Sequence, residues 1–311
     1  MQALDRQTRK LFKGTAQPVN PLSSNAEILE SIGCNFHVKS VPPQYEGRSY
    51  DAARLWLRSD NHDMLGAFGN RRQVIQPTDF LDYFRTFTQN ASRQINLDLV
   101  GTPDKGRTFY MASRLGGGNL PSHHSDRAVG DRTDTWLLVA DYYGHSAAPK
   151  ATLLFNELVC TNGMVRNVHT KLASLTHLRK LGEGEVSRVL EAALSEVDDY
   201  QRLKVRAQNT RVTMDSARKA LRDFFGEESR KTADLERIYE QDLIGSHLAE
   251  RQGTAWGLLN AVTQYTSHSR AGNTPEAQGR AFRSQLSGAR GRDTTRFAEY
   301  LEGLYRLAEV R

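Results

Sequence analysis

The stretch TWLLVADYYGHSAAPKATLLFNELVC, residues 135–160, contains two apolar runs separated by a short segment of turn-forming residues. Residues 135–143 and 151–160 are rich in leucine, β-branched and aromatic side chains, which favour strands. Residues 144–149 between them include glycine, serine and proline, which are typical of turns. The stretch therefore predicts a β-hairpin. Other hairpins in the chain would then indicate an antiparallel sheet.

Two further hairpins are predicted before this one. Residues 53–76 alternate between apolar and polar side chains on both sides of a polar turn at 60–63. Residues 95–115 repeat that alternation around a turn at 102–106. The segment between the two hairpins predicts one inserted helix, because Pro77 is followed by an apolar face at helical spacing. That face consists of Phe80, Leu81, Phe84 and Phe87.

The period of the apolar residues changes from two to about 3.6 near residue 165, and from residue 183 onward it predicts helices with a break near 212–214. Strands followed by helices are typical of α+β proteins. We therefore predict an α+β fold, with an antiparallel sheet built from hairpins with an inserted helix, followed by a mostly helical C-terminal half. The predicted organisation is a flexible N-terminal arm at 1–26, an α+β sheet domain at 27–182 and a helical region at 183–311.

The composition indicates a cytoplasmic protein that does not enter membranes. No apolar run approaches the roughly 18 residues needed to cross a bilayer. Residues 1–14 lack the apolar region of a secretion signal. The only cysteines are Cys34 and Cys160, which we interpret as free thiols in a reducing compartment.

Residues 116–132 are rich in glycine, serine and aspartate, and we expect them to form an exposed, poorly ordered loop. The loop contains His123 and His124 followed by Ser125 and Asp126, which are residue types that bind metals. Adjacent histidines point in different directions, however, and no second cluster in the sequence completes a site. We therefore predict no metal and no other cofactor.

A nucleic-acid interface is predicted from basic residues that follow the last strand, in a chain of net charge +6. Lysines and arginines without intervening acids suit a surface that contacts successive phosphates, and arginines on the hairpins could extend it. Tyr110, Tyr142 and Tyr143 are candidates for stacking on bases. The predicted contact residues are Arg71, Arg72, Arg107, Arg166, Lys171, Arg179 and Lys180. The alternative is a solvated basic face beside core aromatics.

Three groups of motifs carry a resemblance to a known family. They are the segments 57–77 and 106–112 and, together, 134–146 and 158–163, with a weaker similarity at 256–263 and 268–270. In their order along the chain they resemble domain of unknown function 932, also called phage/plasmid-like protein, over about residues 50–305. The resemblance implies a gene of a bacterial mobile element and implies no catalytic residues. Residues 116–132 depart from the family pattern, because this loop is longer and richer in histidine.

Three functions remain in competition at this point. The first is a mobile-element protein that binds or anneals single-stranded DNA without catalytic chemistry, similar in layout to phage annealing proteins and open to forming a homo-oligomer. The second is a protein-binding modulator of a host enzyme or defence system, which would need an exposed apolar patch. The third is a metal-dependent enzyme acting on nucleic acid. Its candidate carboxylates at strand ends are Asp60, Asp63, Asp134 and Asp141. No nucleophile motif such as G-x-S-x-G is present, so we predict no catalytic residues.

Overall fold

The computed structural model describes most of the chain. The described residues are 6–90, 95–115, 133–144, 149–157, 163–167, 183–227, 229–243, 251–268, 274, 277, 279–282, 284 and 289–309. The predicted loop at 116–132 lies outside them.

The strands form a large and a small antiparallel sheet and one separate hairpin. The six-stranded sheet has the order β1-β7-β8-β9-β10-β11, and its strands are Ala16–Pro18, Leu99–Gly101, Thr108–Arg114, Thr133–Tyr142, Lys150–Glu157 and Gly163–Asn167. The three-stranded sheet has the order β2-β5-β6, with strands Val38–Val41, Ala53–Arg58 and Met64–Gly69. The separate hairpin pairs β3 (Gln44–Tyr45) with β4 (Arg48–Ser49).

Three helices precede the last strand and five follow it within the described residues. They are α1 (Arg6–Leu11), α2 (Asn25–Ser31), α3 (Pro77–Asn90), α4 (Glu183–Asn209), α5 (Met214–Phe225), α6 (Arg230–Arg237), α7 (Ala255–His268) and α8 (Ala289–Glu309). Ile238–Asp242 continue α6 as a π-helical turn. None of the described helices combines the length and apolar composition that crossing a membrane requires.

The α+β class, the helical C-terminal half and all three hairpins are confirmed, as is the helix break. The break falls at Thr210–Thr213, where the Thr213 hydroxyl accepts a hydrogen bond from the Ser216 N–H and caps α5. The expectation of one sheet was wrong. The first hairpin belongs to a separate sheet, in which β5 pairs with β2. The Gln76 side chain donates to the Val38 carbonyl and accepts from the Val38 N–H.

The expectation of a flexible arm also differs from the structure. Residues 6–18 form α1 and β1, and β1 pairs with β7 along one edge of the six-stranded sheet. Phe12 is fully buried, stacked on Tyr110 with ring centroids 5.9 Å apart and packed edge-on against Trp136 at 5.4 Å. Contacts of Phe12 with aromatic residues far along the chain hold residues 6–18 on the sheet. The polar composition of the segment could not predict these contacts.

The central strands β8 and β9 of the six-stranded sheet are buried on both faces. Along β9, Leu137 and Val139 belong to the main core cluster, whereas Trp136, Leu138 and Ala140 belong to a smaller cluster on the other face. The smaller cluster is covered by α1 and by Phe282. The main cluster also contains Trp256 of α7 and Phe297 of α8, so a single core joins the sheets to the helices. Burial on both faces explains why β9 has a continuous apolar run instead of a strict alternation.

Candidate nucleic-acid interface

Arg72 and Arg107 contact the end of β9, where the three-stranded sheet meets the large one, and Arg71 directly precedes Arg72. Arg71 and Arg72 follow the last residue of β6, and the Arg72 guanidinium donates to the Tyr142 carbonyl at 2.8 Å. The Arg107 carbonyl accepts from the N–H groups of Tyr143 and Gly144, and its guanidinium donates to the Met64 carbonyl at 3.2 Å. Arg72 and Arg107 therefore both contact the end of β9, but the Arg107 guanidinium lies at the first residue of β6 and Arg71 beyond its last, at opposite ends of that strand.

Arg72 is engaged inside the protein. Its guanidinium carbon lies 4.2 Å from the centroid of the Phe68 ring and 5.0 Å from that of Trp56. Burial lowers the pKa of Arg72, and the nearby Asp141 carboxylate partly offsets that effect. Arg72 thus joins β5, β6 and β9, while the exposed side chains of Arg71 and Arg107 are the accessible ones of the three.

The other four predicted contacts are placed only in part. Arg166 lies on the edge strand β11, paired with Leu153 of β10, and its side chain is outside the described residues. From the strand spacing, its backbone lies about 20 Å from the Tyr142 end of β9. Helices α7 and α8 approach β11. Lys171, Arg179 and Lys180 lie outside the described residues.

The three tyrosines predicted to stack on bases are core residues. Tyr110, Tyr142 and Tyr143 are all fully buried, Tyr110 beneath Phe12 and Tyr143 beside Trp56 with ring centroids 6.2 Å apart. A buried ring has no face to offer a base, so this expectation was wrong. The reason is that β8 and β9 are covered on both sides, and the near-continuous apolar run of β9 was the available signal of that burial.

Most of the basic residues around residues 202–237 are neutralised by carboxylates. The pairs are Arg202–Asp199, Arg218–Glu240, Lys219–Asp223, Arg222–Glu236, Lys231–Asp293 and Arg237–Asp242, with N–O distances of 2.5–2.8 Å. The clustering of positive charge in the second half of the sequence is therefore a poor guide to the free charge at the surface of the helices.

The separate hairpin β3–β4 is exposed, and the sequence pattern did not predict it. Every residue from Gln44 to Ala52 is exposed, including Tyr45 at 65% and Tyr50 at 49%. Glu46 and Gly47 form its two-residue turn with φ of 50° and 74°, as a type I′ hairpin turn requires. Strands of two residues are too short to show a period, and the Glu-Gly turn was the available signal.

Three exposed cations lie on or near this hairpin in the sequence and the sheet, and the exposed carboxylates of Glu46 and Asp51 lie on the same segment. Arg48 lies opposite Tyr45, Lys39 is exposed on β2, and Arg71 follows Asn70, whose N–H donates to the Ala52 carbonyl. In the part of the chain that the structure describes, none of the three forms an ion pair. We call Lys39, Tyr45, Arg48, Tyr50 and Arg71 the hairpin surface.

Arg58 anchors the other end of β5. Its guanidinium donates to both Asp60 oxygens at 3.0 and 2.6 Å and to the carbonyls of Gly33 and Lys105, and it covers the Phe36 ring at 4.1 Å. Hydrogen bonding to Arg58 lowers the pKa of Asp60, and the same bond raises the pKa of Arg58. Asp60 is therefore held as the partner of an internal cation.

The carboxylates proposed for metal-dependent catalysis do not converge in the described residues. Asp141 is buried and accepts from the Tyr142 N–H at 2.7 Å, whereas Asp63 is exposed in the turn after β5. No group of three potential metal ligands occurs among the described residues. The segment with His123 and His124, the side chain of Asp134, and Cys160 lie outside them. Cys34 is buried, and burial raises the pKa of its thiol to about 12.

Comparison with known families yields one match. The family described as Domain of unknown function (DUF932) matches residues 64–298. This range includes β6, the segments that carry Arg71, Arg72 and Arg107, and the rest of the chain as far as the first half of α8. No curated protein and no solved structure matches the chain.

Proposed function

Since the chain belongs to the family described as Domain of unknown function (DUF932), its function has to be argued from its own residues, and we propose that it binds nucleic acid, foremost single-stranded DNA, through phosphates. We further propose that it does so without catalytic chemistry, in the cytoplasm of a cell that carries a phage or plasmid. The observation that supports the proposal best is the set of exposed, unpaired cations on the small-sheet side.

Exposed cations favour phosphate binding only where no carboxylate already neutralises them. Arg71 and Arg107 meet that condition within the described residues, in contrast to the six ion-paired cations of the helical half. A cation that contacts a phosphate releases a condensed counterion, so binding weakens as salt concentration rises. Phosphate contacts carry no base information, and the proposed binding is therefore independent of sequence.

The experiment is fluorescence anisotropy of a labelled single-stranded oligonucleotide titrated with the full chain at several salt concentrations. The test variant reverses two charges, Arg71→Glu with Arg107→Glu. The control reverses two exposed arginines of the helical half, Arg230→Glu with Arg296→Glu, and changes the net charge equally. Thermal unfolding of both variants verifies that they fold.

We expect the test variant to bind at least about tenfold more weakly than the wild type, since each lost charge-assisted hydrogen bond is worth roughly 1.5 kcal/mol or more. Its salt slope should flatten by about 1.4, at about 0.7 for each lost contact on a single strand. The control should retain most of the affinity. Equal loss in both variants would mean that net charge alone governs binding. If the wild type does not bind the strand at about 100 mM salt, the proposal of nucleic-acid binding is contradicted, and a protein partner becomes the favoured function.

A further inference from the structure

The hairpin β3–β4 exposes two large aromatic rings on an element that has almost no packing of its own. A two-stranded ribbon is marginally stable in water, so exposed aromatics on it gain nothing for the fold. Neither Tyr45 nor Tyr50 touches the core clusters. Their side chains are available to a ligand, in contrast to the buried tyrosines of β8 and β9.

The pairing of the ribbon places the two rings on one side. Tyr45 is directly opposite Arg48. The Tyr50 N–H donates to the Pro43 carbonyl at 3.0 Å, so Pro43 and Tyr50 form the next residue pair of the same ladder. Because side chains alternate along a strand, Tyr45, Arg48 and Tyr50 share a face. Tyr45 and Tyr50 are diagonal neighbours, at a backbone separation of about 7–8 Å. That is about twice the 3.4 Å step between successive bases, so one flat base has room between the rings.

We propose that this face of the hairpin binds unpaired bases of single-stranded nucleic acid by stacking them on Tyr45 and Tyr50, with Arg48 contacting an adjacent phosphate. The inference rests on the proposed function and specifies the ligand within it. Bases in a duplex are already stacked on both sides, so two projecting rings select strands whose bases are free. The positive charge of Lys39, Arg48 and Arg71 complements the backbone of such a strand.

The test separates stacking from phosphate binding by changing both the ligand and the protein. One oligonucleotide carries all its bases, and a second of equal length carries abasic sites over its central half. The full chain is titrated against each as the wild type, as Tyr45→Ala with Tyr50→Ala, and as Tyr45→Phe with Tyr50→Phe. Both tyrosines are exposed, so the alanine variant should keep the melting temperature of the wild type.

We expect the wild type to prefer the complete strand by about 5- to 150-fold, the range that one stacked base supplies. The alanine variant should lose that preference and keep the affinity for the abasic strand, and the phenylalanine variant should retain both. Equal binding of the two strands by the wild type overturns the stacking inference and leaves phosphate binding intact. So does a preference that survives the alanine substitutions, which would mean that bases are recognised elsewhere on the protein. A wild type that binds neither strand overturns both proposals.

Discussion

At the scale of single residues, burial raises the pKa of Asp98. This residue precedes β7, and its carboxylate accepts a hydrogen bond from the Arg114 N–H at 2.7 Å. Desolvation raises the pKa of Asp98 above its ordinary value, while the Arg114 N–H and the Arg114 charge act in the opposite direction. The folded protein therefore holds the Asp98 proton more tightly than the unfolded chain does.

The raised pKa predicts the effect of Asp98→Asn on stability. A raised carboxyl pKa stabilises the protonated folded state, and that contribution is lost as pH rises through the folded pKa. Asparagine is neutral and keeps the acceptor for Arg114, so we expect the variant to unfold at a higher temperature than the wild type at pH 7. The difference should vanish near pH 4. Thermal melts between pH 4 and 8 measure it, with Asp51→Asn as the exposed control. A variant less stable than the wild type at pH 7 would refute the assignment.

Residue chemistry alone could not divide the tyrosines of this chain between core and surface. Tyr110 and Tyr45 both lie on strands, and both carry a ring with a polar tip. The first is covered by Phe12 and Phe282, which are 98 and 172 positions away in sequence. The second is exposed because its strand ends after two residues. Only the tertiary contacts distinguish them.

At the scale of elements, the periods of the apolar residues were sufficient to predict the three long hairpins and the break between α4 and α5. They were insufficient where an element is short or is held by one side chain. The two-residue strands of β3–β4 carry no period, and β2 is a four-residue strand that pairs with β5 and is also bonded at Val38 by the Gln76 side chain. The order of charges along the sequence was likewise insufficient to predict the ion pairs, because the pairs between α5 and α6 with its π-helical turn join residues up to 22 positions apart.

Two glycines on helices should respond in opposite ways to an added methyl group. A Cβ at Gly257 of α7 would overlap the carbonyl oxygen of Arg251, whereas a Cβ at Gly303 of α8 would meet no atom within 4 Å. Gly257→Ala should therefore lower the free energy of unfolding by about 1–3 kcal/mol. Gly303→Ala should raise it by about 0.5–1 kcal/mol, because alanine is the better helix former. Urea denaturation of the two variants measures both changes, and a neutral Gly257→Ala would contradict the close approach.

At the scale of the whole molecule, segments from both ends of the chain cover the second face of the large sheet. Phe12 comes from the N-terminal segment and Phe282 from the helical half, with ring centroids 5.8 Å apart. The sheet cannot bury this face with its own residues. The N-terminal segment is therefore part of the fold, which its sequence did not predict.

Phe12→Ala tests this role of the N-terminal segment. Removing a buried ring from contact with Tyr110, Trp136 and Phe282 should cost about 3–5 kcal/mol of unfolding free energy. Leu22→Ala is the control in the same segment, because Leu22 is 92% exposed and should change little. Chemical denaturation compares the two. If the two substitutions had equally small effects, residues 6–18 would not be packed on the sheet.

Among the described residues, the small-sheet side has exposed cations without ion pairs, whereas six cations of helices α4, α5 and α6 are paired with carboxylates. The sequence located the net positive charge, but it could not show which cations are free, because neutralising carboxylates come from other helices. We therefore propose an interface at Lys39, Arg48, Arg71 and Arg107 in place of the region of densest positive charge.

Hydrogen–deuterium exchange of the full chain, with and without a saturating single-stranded oligothymidine, tests this location most directly. We expect slower amide exchange at residues 38–54 and 69–73 in the presence of the strand, because binding orders the hairpin and excludes water from it. Exchange in α5 and α6 should stay unchanged. Protection confined to α5 and α6, or unchanged exchange at 38–54 under conditions where the strand is bound, would contradict the proposed interface.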